Sequence, residues 1–350
     1  MLTCSAEGHY IEQALMSIWS ARYHNPNAWI LLLTDDNTER LLTGIRGSLL
    51  EYVSEKVVVP FEDENASAMY RSRWIKTSVR RLVKGDFLFI DCDTIVCKSL
   101  GDVDAFDCEV GAVWESHLLV RDFCSDLKKS TSEANRRLGV DLDAEKEYYS
   151  SGILYVKDTQ PVSRFYSLWH EFWKESCHFG LPIDQPAMAK ANRESGHIIQ
   201  KIPDTYNCIV FTQNTFIEQA HILHISSYRN PSFLFTEIVL GLLQRDGLTD
   251  WLKDVILHPC DSMLPFDYAI KHSTRKERKV WIERMAETAD GINDNLPILW
   301  NAFPMSSSLK NVVTGLFRHR YHHLGAMVWL LWRRWRVASN VNLKNNVCRN

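Results

Sequence analysis

The chain has 350 residues, a formal net charge of −3 and a composition that is 45% apolar and 24% charged, as in ordinary globular proteins. This length suits one large α/β domain with an appendage, or two domains. No run reaches the roughly 18 apolar residues that span a bilayer, no signal peptide opens the chain, and the nine cysteines lack metal-ligand spacing. We therefore expect a cytoplasmic protein with reduced thiols.

The first third of the chain alternates between short apolar runs and helical patterns. Strands are predicted at 2–5, 28–33, 57–59 and 87–90, with helices between them marked by apolar residues at helical spacing. Such alternation is typical of a mostly parallel, twisted sheet with helices on both faces. The sequence therefore predicts an α/β fold.

Further strands are predicted at 110–114, 152–156 and 220–224. Pro161 opens a predicted helix because proline is favoured in the first helical turn. Its aromatic stripe, which includes Phe165, Trp169 and Trp173, is predicted to face the core rather than a ligand.

The pattern Asp-x-Asp occurs three times, but only Asp91 and Asp93 directly follow an apolar strand, residues 87–90. Ligands of open α/β sheets bind at the carboxyl ends of the strands, and paired carboxylates suit Mg²⁺ or Mn²⁺ serving a phosphate-bearing substrate. A helix N-cap pair is the alternative. The pairs at 102/104 and 141/143 lie among charged, turn-forming residues and are predicted to be solvated.

The order of the motifs is more specific than any one of them. The chain begins with a βαβα pattern, which is followed by a helix with Arg73 and Lys76. Next comes the strand that leads to Asp91 and Asp93. After it come residues 149–154 (YSSGIL), residues 184–186 (DQP) and a strand that ends in His224. Residues 2–232 thus resemble a retaining glycosyltransferase of family eight, the group of glycogenin and of bacterial lipopolysaccharide galactosyl- and glucosyltransferases. The resemblance implies a GT-A fold and a UDP-sugar donor.

By this resemblance, Mn²⁺ (or Mg²⁺) would be held by Asp91, Asp93 and His224, and two carboxylates with one imidazole independently suit Mn²⁺ better than Ca²⁺. Gln185 would stabilise the reacting face of the sugar and Asp184 would bind sugar hydroxyls. The donor would further be contacted by Ser5, Glu7, Arg73, Lys76, Ser150 and Gly152. From the residues alone, a structural histidine, a helix N-cap at Asp184 and solvated cations on the helix stay open.

The sequence departs from the family in two motifs. Ser150 stands where an asparagine is usual, and a hydroxyl offers one donor in place of an amide pair. After His224 the usual glycine and lysine are missing, and Arg229 would supply the charge of that lysine with a different geometry. These changes leave the identity of the donor sugar open.

The charge is divided unevenly along the chain. After Asp294 the chain has no acidic residue, and the last 56 residues contain eight Lys or Arg. Since the whole chain has a formal net charge of −3, the preceding part has a formal net charge of −11. Residues 315–336 mix arginines with tryptophans, a pattern typical of an interfacial helix. We expect this tail to contact an anionic membrane surface on the cytoplasmic side rather than nucleic acid, since the body is acidic. A packed C-terminal helix is the alternative.

The predicted organisation is a GT-A catalytic domain at 1–232, a helical region at 233–295 and the basic aromatic tail at 296–350. The predicted function is transfer of a hexose from a UDP-sugar to a hydroxyl of a glycan or lipid-linked glycan, with retention implied by the resemblance. Two alternatives stay open. One is a degenerate transferase domain that acts as a membrane-surface scaffold. The other is a phosphohydrolase of the haloacid dehalogenase type, because residues 91–94 partly resemble the nucleophile motif of that class.

Overall fold

The structure is a computed structural model that describes residues 2–3, 9–61, 63, 65–123, 133–209, 219–225 and 237–259. Ser5, Glu7 and Arg229 lie outside these residues, as does the tail at 296–350. The chain divides into two compact units, one of residues 1–230 and 244–248 and the other of residues 231–243 and 249–350. The predicted domain boundaries stay a prediction. Within the described residues, no helix is both long and apolar enough to cross a membrane.

Strands and helices alternate through the first unit, which confirms the predicted α/β class. The strands are β1 (Leu2–Thr3), β2 (Leu31–Asp35), β3 (Glu55–Val59), β4 (Phe87–Ile90), β5 (Thr94–Val96), β6 (Val110–Ala112), β7 (Ile153–Val156), β8 (Ile199–Lys201), β9 (Cys208–Ile209) and β10 (Ile222–His224). The helices are α1 (Tyr10–His24), α2 (Asp36–Glu39), α3 (Gly44–Gly47), α4 (Ala68–Leu82), α5 (Gln160–His178), α6 (Asp184–Glu194), α7 (Glu237–Asp246) and α8 (Asp250–Leu257).

The strands form three sheets in the orders β1-β2-β3, β4-β7-β6-β8 and β5-β10-β9. β1, β2 and β3 run parallel, as the alternating pattern predicts. β7 runs antiparallel to both β4 and β6, whereas β6 and β8 run parallel, so the second sheet is mixed. Strands β5, β8 and β9 were not anticipated from the sequence.

Local sequence explains where the main helices begin. The hydroxyl of Ser67 accepts a hydrogen bond from the backbone N–H of Tyr70 and caps α4. Thr159 caps α5 in the same way, with a proline in its first turn, as predicted from Pro161. Capping satisfies N–H groups that have no partner inside the helix, so these residues fix the entry to each helix.

The core lies between α4, α5 and α6 on one side and the mixed sheet on the other. Phe165, Trp169 and Trp173 are fully buried against Phe89 of β4 and neighbouring apolar residues, so the stripe is core as predicted. The Trp169 indole donates a hydrogen bond to the backbone carbonyl of Asp184 at 2.9 Å. The aromatic core thereby fixes the first residue of α6.

Candidate active site

The candidate site lies where β4 ends. Asp91 and Asp93 occupy the link between β4 and β5, and the backbone N–H of Asp91 donates to the carbonyl of Gly152 at 2.9 Å. β10 pairs antiparallel with β5 and opposes His224 to Thr94. Because of this register, His224 Nε2 lies 3.3 Å from Asp93 Oδ1.

The three residues predicted to hold a metal are brought together. One ligand atom from each of Asp91, Asp93 and His224 lies within 4.8 Å of the other two. Neighbouring ligands of an octahedral ion lie about 3 Å apart and opposite ones about 4.2 Å, given bonds of about 2.1 Å. The donor set and its spacing therefore fit a Mn²⁺- or Mg²⁺-sized ion.

Glycine is required at position 152 by the approach of His224. A Cβ at Gly152 would lie 2.2 Å from His224 Cε1 and 2.7 Å from its Nδ1. Real side chains do not pack at such distances. The glycine of the YSSGIL motif thus makes room for the imidazole, a reason that is independent of any sugar.

Asn207 is a residue of the site that sequence reasoning missed. It is fully buried, and its Oδ1 lies 3.0 Å from His224 Nδ1 while its Nδ2 donates to Ser150 Oγ at 3.3 Å. An acceptor at Nδ1 places the proton there and leaves Nε2 free to bind a metal when the ring is neutral. Nothing in the single sequence distinguishes Asn207 from an ordinary loop asparagine.

Two cations of α4 border the carboxylates. The Lys76 ammonium lies 2.8 Å from Asp91 Oδ2 and 3.5 Å from Asp184 Oδ2, and it is almost fully buried. Arg73 Nε lies 2.9 Å from Asp184 Oδ1. The interpretation of these cations as solvated charges is wrong for Lys76, whose side chain is 2% exposed.

Both oxygens of the Asp184 carboxylate have partners. Arg73 contacts Oδ1, while Lys76 contacts Oδ2 and Ser151 Oγ donates a hydrogen bond to Oδ2 at 2.8 Å. Burial alone would raise the pKa of Asp184, but Lys76, Arg73 and the Ser151 hydroxyl lower it well below its usual range. Asp184 is therefore ionised at neutral pH. In this structure Asp184 pairs with the two cations of α4. Ser151, which belongs to the YSSGIL motif, was not predicted to be its partner.

Burial and charge act differently on the two Asp-x-Asp carboxylates. Burial raises the pKa of Asp91, although the Lys76 ammonium opposes this. Burial would raise the pKa of Asp93 too, but the charge of His224 and its hydrogen bond lower it. For His224, burial favours the neutral ring, yet the Asp93 carboxylate raises the pKa above its ordinary value. A dication would replace the proton between these two groups.

Gln185 lies in the first turn of α6, next to Asp184. Its Nε2 donates to Glu115 Oε2 at 2.7 Å and to the backbone carbonyl of Tyr149 at 2.8 Å. Glu115, just beyond β6, was not singled out in the sequence. The other two Asp-x-Asp pairs are exposed, as predicted: Asp102 and Asp104 in a 3₁₀ turn, Asp141 and Asp143 in a loop.

Comparisons with known proteins give only distant structural likenesses. No family model matches the chain, and no curated protein does. Among solved structures, the bifunctional glycosyltransferase WbbM is 16% identical over 73% of this chain with a TM-score of 0.46, and this chain spans 50% of its length. The galactosyltransferase LgtC, solved in complex with donor and acceptor sugar analogues, is 11% identical to this chain, with a TM-score of 0.44. The match covers 80% of this chain and 99% of the LgtC chain.

A third structure, the glycosyltransferase GlyE of Streptococcus pneumoniae, is 19% identical over 73% of this chain and 62% of its own, with a TM-score of 0.43. At such identities and TM-scores, these three structures say nothing about the activity, the donor or the metal of this chain. Function is therefore inferred from the site itself.

Proposed function

We propose that this protein is a metal-dependent glycosyltransferase of the GT-A, family-eight type, which moves a hexose from a UDP-sugar to a hydroxyl of a glycan acceptor with retention. The observation that carries the proposal is the juxtaposition of Asp91, Asp93 and His224 with the cations of α4. A site with three converging ligands, one buried cation and one partly exposed cation suits an anionic ligand that brings a divalent ion.

Asp91, Asp93 and His224 would hold Mn²⁺ or Mg²⁺, which when bound supplies positive charge to the diphosphate of the departing UDP. Arg73, whose side chain is 33% exposed, would contact the donor. Lys76, buried against Asp91, would tune the charge of the ligand set rather than bind the sugar directly. Gln185 would face the reacting carbon of the sugar.

The test is UDP release from a panel of UDP-sugars with Mn²⁺, comparing wild type with Asp93→Ala. Asp104→Ala is the matched control, because it removes the second aspartate of an exposed Asp-x-Asp pair away from the ligand set. We expect turnover of one sugar in wild type and Asp104→Ala and its loss in Asp93→Ala. If UDP binds by calorimetry only with Mn²⁺ but no sugar turns over, an acceptor is missing; without UDP binding, the proposal fails.

We further propose that the basic aromatic tail places the enzyme on the cytoplasmic face of an anionic membrane, near a lipid-linked acceptor. The proposal is supported by the sequence of residues 315–336 alone. Co-sedimentation of the full chain with vesicles of phosphatidylglycerol and phosphatidylcholine tests it. Binding should fall when Arg333, Arg334 and Arg336 are changed to Gln; equal binding to vesicles of phosphatidylcholine alone would contradict it.

A further inference from the structure

Gln185 is held in one amide orientation. Both groups that contact its Nε2 are acceptors, the carboxylate of Glu115 at 2.7 Å and the carbonyl of Tyr149 at 2.8 Å. Only an NH₂ group can satisfy two acceptors, whereas the flipped amide would place Oε1 against a carboxylate oxygen. The orientation thus follows from the chemistry of the neighbours, which is the sound basis for assigning an amide.

The carbonyl end of Gln185 is the end that stays available. Within the described residues, no donor hydrogen-bonds to its Oε1, and both amide protons are used. Asp184, the preceding residue, contacts Lys76, and Lys76 contacts Asp91. Gln185 therefore directly follows the residue that is connected to the ligand set through Lys76, and its side chain offers a lone pair, not a hydrogen-bond donor.

Glu115 is itself rigidly placed. Its backbone N–H donates to the carbonyl of Tyr148 at 2.7 Å, and Trp114 pairs with Tyr149 in an antiparallel bridge. The two acceptors of the Gln185 amide thus come from adjacent, hydrogen-bonded segments. Their spacing is fixed before any substrate binds.

The turn that follows Glu115 has an uncommon backbone. Ser116 and His117 have φ values of 55° and 58°, in the left-handed region that non-glycine residues rarely adopt. The buried imidazole of His117 holds the turn, with Asp204 Oδ1 3.0 Å from Nδ1 and the N–H of Ile209 donating to Nε2 at 3.0 Å. Strained backbone persists where surrounding contacts impose it, and it clusters at functional sites.

We infer that Glu115 is a positioning residue, which holds the amide of Gln185 so that its carbonyl oxygen faces the reacting carbon of the sugar. The inference rests on the proposed function for the identity of that carbon. A carbonyl oxygen presented there stabilises positive charge that develops as the bond to UDP breaks. An unrestrained amide would present its N–H groups for part of the time, and these would oppose the same charge.

The kinetic test is a double-mutant cycle of Glu115→Ala and Gln185→Ala, read as kcat and as KM for the donor. We expect Glu115→Ala to lower kcat at least tenfold and leave KM within twofold, and to have no further effect when Gln185 is already alanine. Glu115→Gln should keep kcat within about threefold, because its amide oxygen can still accept the N–H. Glu147→Ala, which removes a carboxylate bound to the hydroxyl of Tyr149, is the matched control.

Losses that multiply in the double variant, or a change confined to KM, would overturn the inference, because Glu115 would then act independently of Gln185. A second measurement does not need turnover: exchange of the Gln185 side-chain amide protons by ¹⁵N NMR, assigned with Gln185→Ala. Both protons should be protected in wild type, and protection of one should be lost in Glu115→Ala. If wild type turned over no UDP-sugar, the proposed function would fail, while this exchange measurement would still decide whether Glu115 orients Gln185.

Discussion

Replacing Gly152 by alanine tests the candidate metal site without substituting any of the three proposed ligands. The added Cβ would lie 2.2 Å from His224 Cε1, whereas carbon atoms pack at about 3.5 Å or more. The imidazole must therefore move by about 1.3 Å, far beyond the tolerance of about 0.2 Å within which a ligand keeps its metal bond. That movement also strains the hydrogen bond of His224 to Asn207.

We expect Gly152→Ala to weaken Mn²⁺ binding by at least tenfold, or about 1.4 kcal/mol, which is the lower end of what losing support of a ligand costs. The assay is titration of the full chain with Mn²⁺, with free ion measured by electron paramagnetic resonance. Gly111→Ala is the matched control, because its Cβ would lie 2.5 Å from Ile202 Cγ2 in a cluster away from the ligands. Both variants should lose about 1–3 kcal/mol of stability through overpacking.

The reasoning would be refuted if Gly152→Ala bound Mn²⁺ like wild type while remaining folded, or if Gly111→Ala lost as much affinity. Adding His224→Ala supplies an internal check. Once the imidazole is gone, Gly152→Ala has nothing to displace, so it should cause no further loss of affinity and little loss of stability.

Three further predictions concern the buried groups. Asn207→Leu should weaken Mn²⁺ binding by about 10–100-fold, because His224 loses the acceptor that fixes its tautomer; calorimetry measures this, and an unchanged affinity would contradict it. Asp93→Asn should lower the pKa of His224 in the metal-free protein, as measured by NMR titration. In wild type the pKa of His224 is raised and that of Asp93 is lowered, so the pair stabilises the protein between these two pKa values, and this stability is lost as pH rises through the pKa of His224. Burial lowers the pKa of His170 to about 4, so stability should fall as pH drops from about 6.5 towards 4, an effect that His170→Phe should remove in urea unfolding.

The sequence predicted the parts of the fold whose signals are local. The strand at 87–90 matches β4, and the helix opened by Pro161 matches α5 with its aromatic stripe in the core. The strand predicted at 28–33 is instead Leu31–Asp35, because pairing with β3 begins at Leu31 and extends to Asp35. Ala28 and Trp29, at the start of the apolar run, are exposed and lie outside the strand.

The sequence could not predict which residues hydrogen-bond to the functional side chains of the site and hold them in place. Asp91, Asp93 and His224 were found from motifs in order, but Asn207 and Glu115 act through single hydrogen bonds made across about twenty to seventy residues. Such partners leave no periodicity and no spacing rule. Lys76 was predicted to contact the donor, with a solvated position on the helix as the alternative, and only the packing of α4 shows that it is buried against Asp91.

The charges of the site explain why a buried lysine and a divalent ion can be needed together. Asp91, Asp93 and Asp184 supply three negative charges when ionised, and Arg73 and Lys76 supply two positive charges. Ion pairs connect Asp91, Lys76, Asp184 and Arg73, and an oxygen of Asp93 lies within 4.8 Å of Asp91. With a neutral His224 these groups hold one excess negative charge, which a dication would convert to one positive charge. Since partnerless buried charge is costly, the two cations stabilise the carboxylates in the free protein, and the charge of a bound ion would then be available to the diphosphate of the proposed donor.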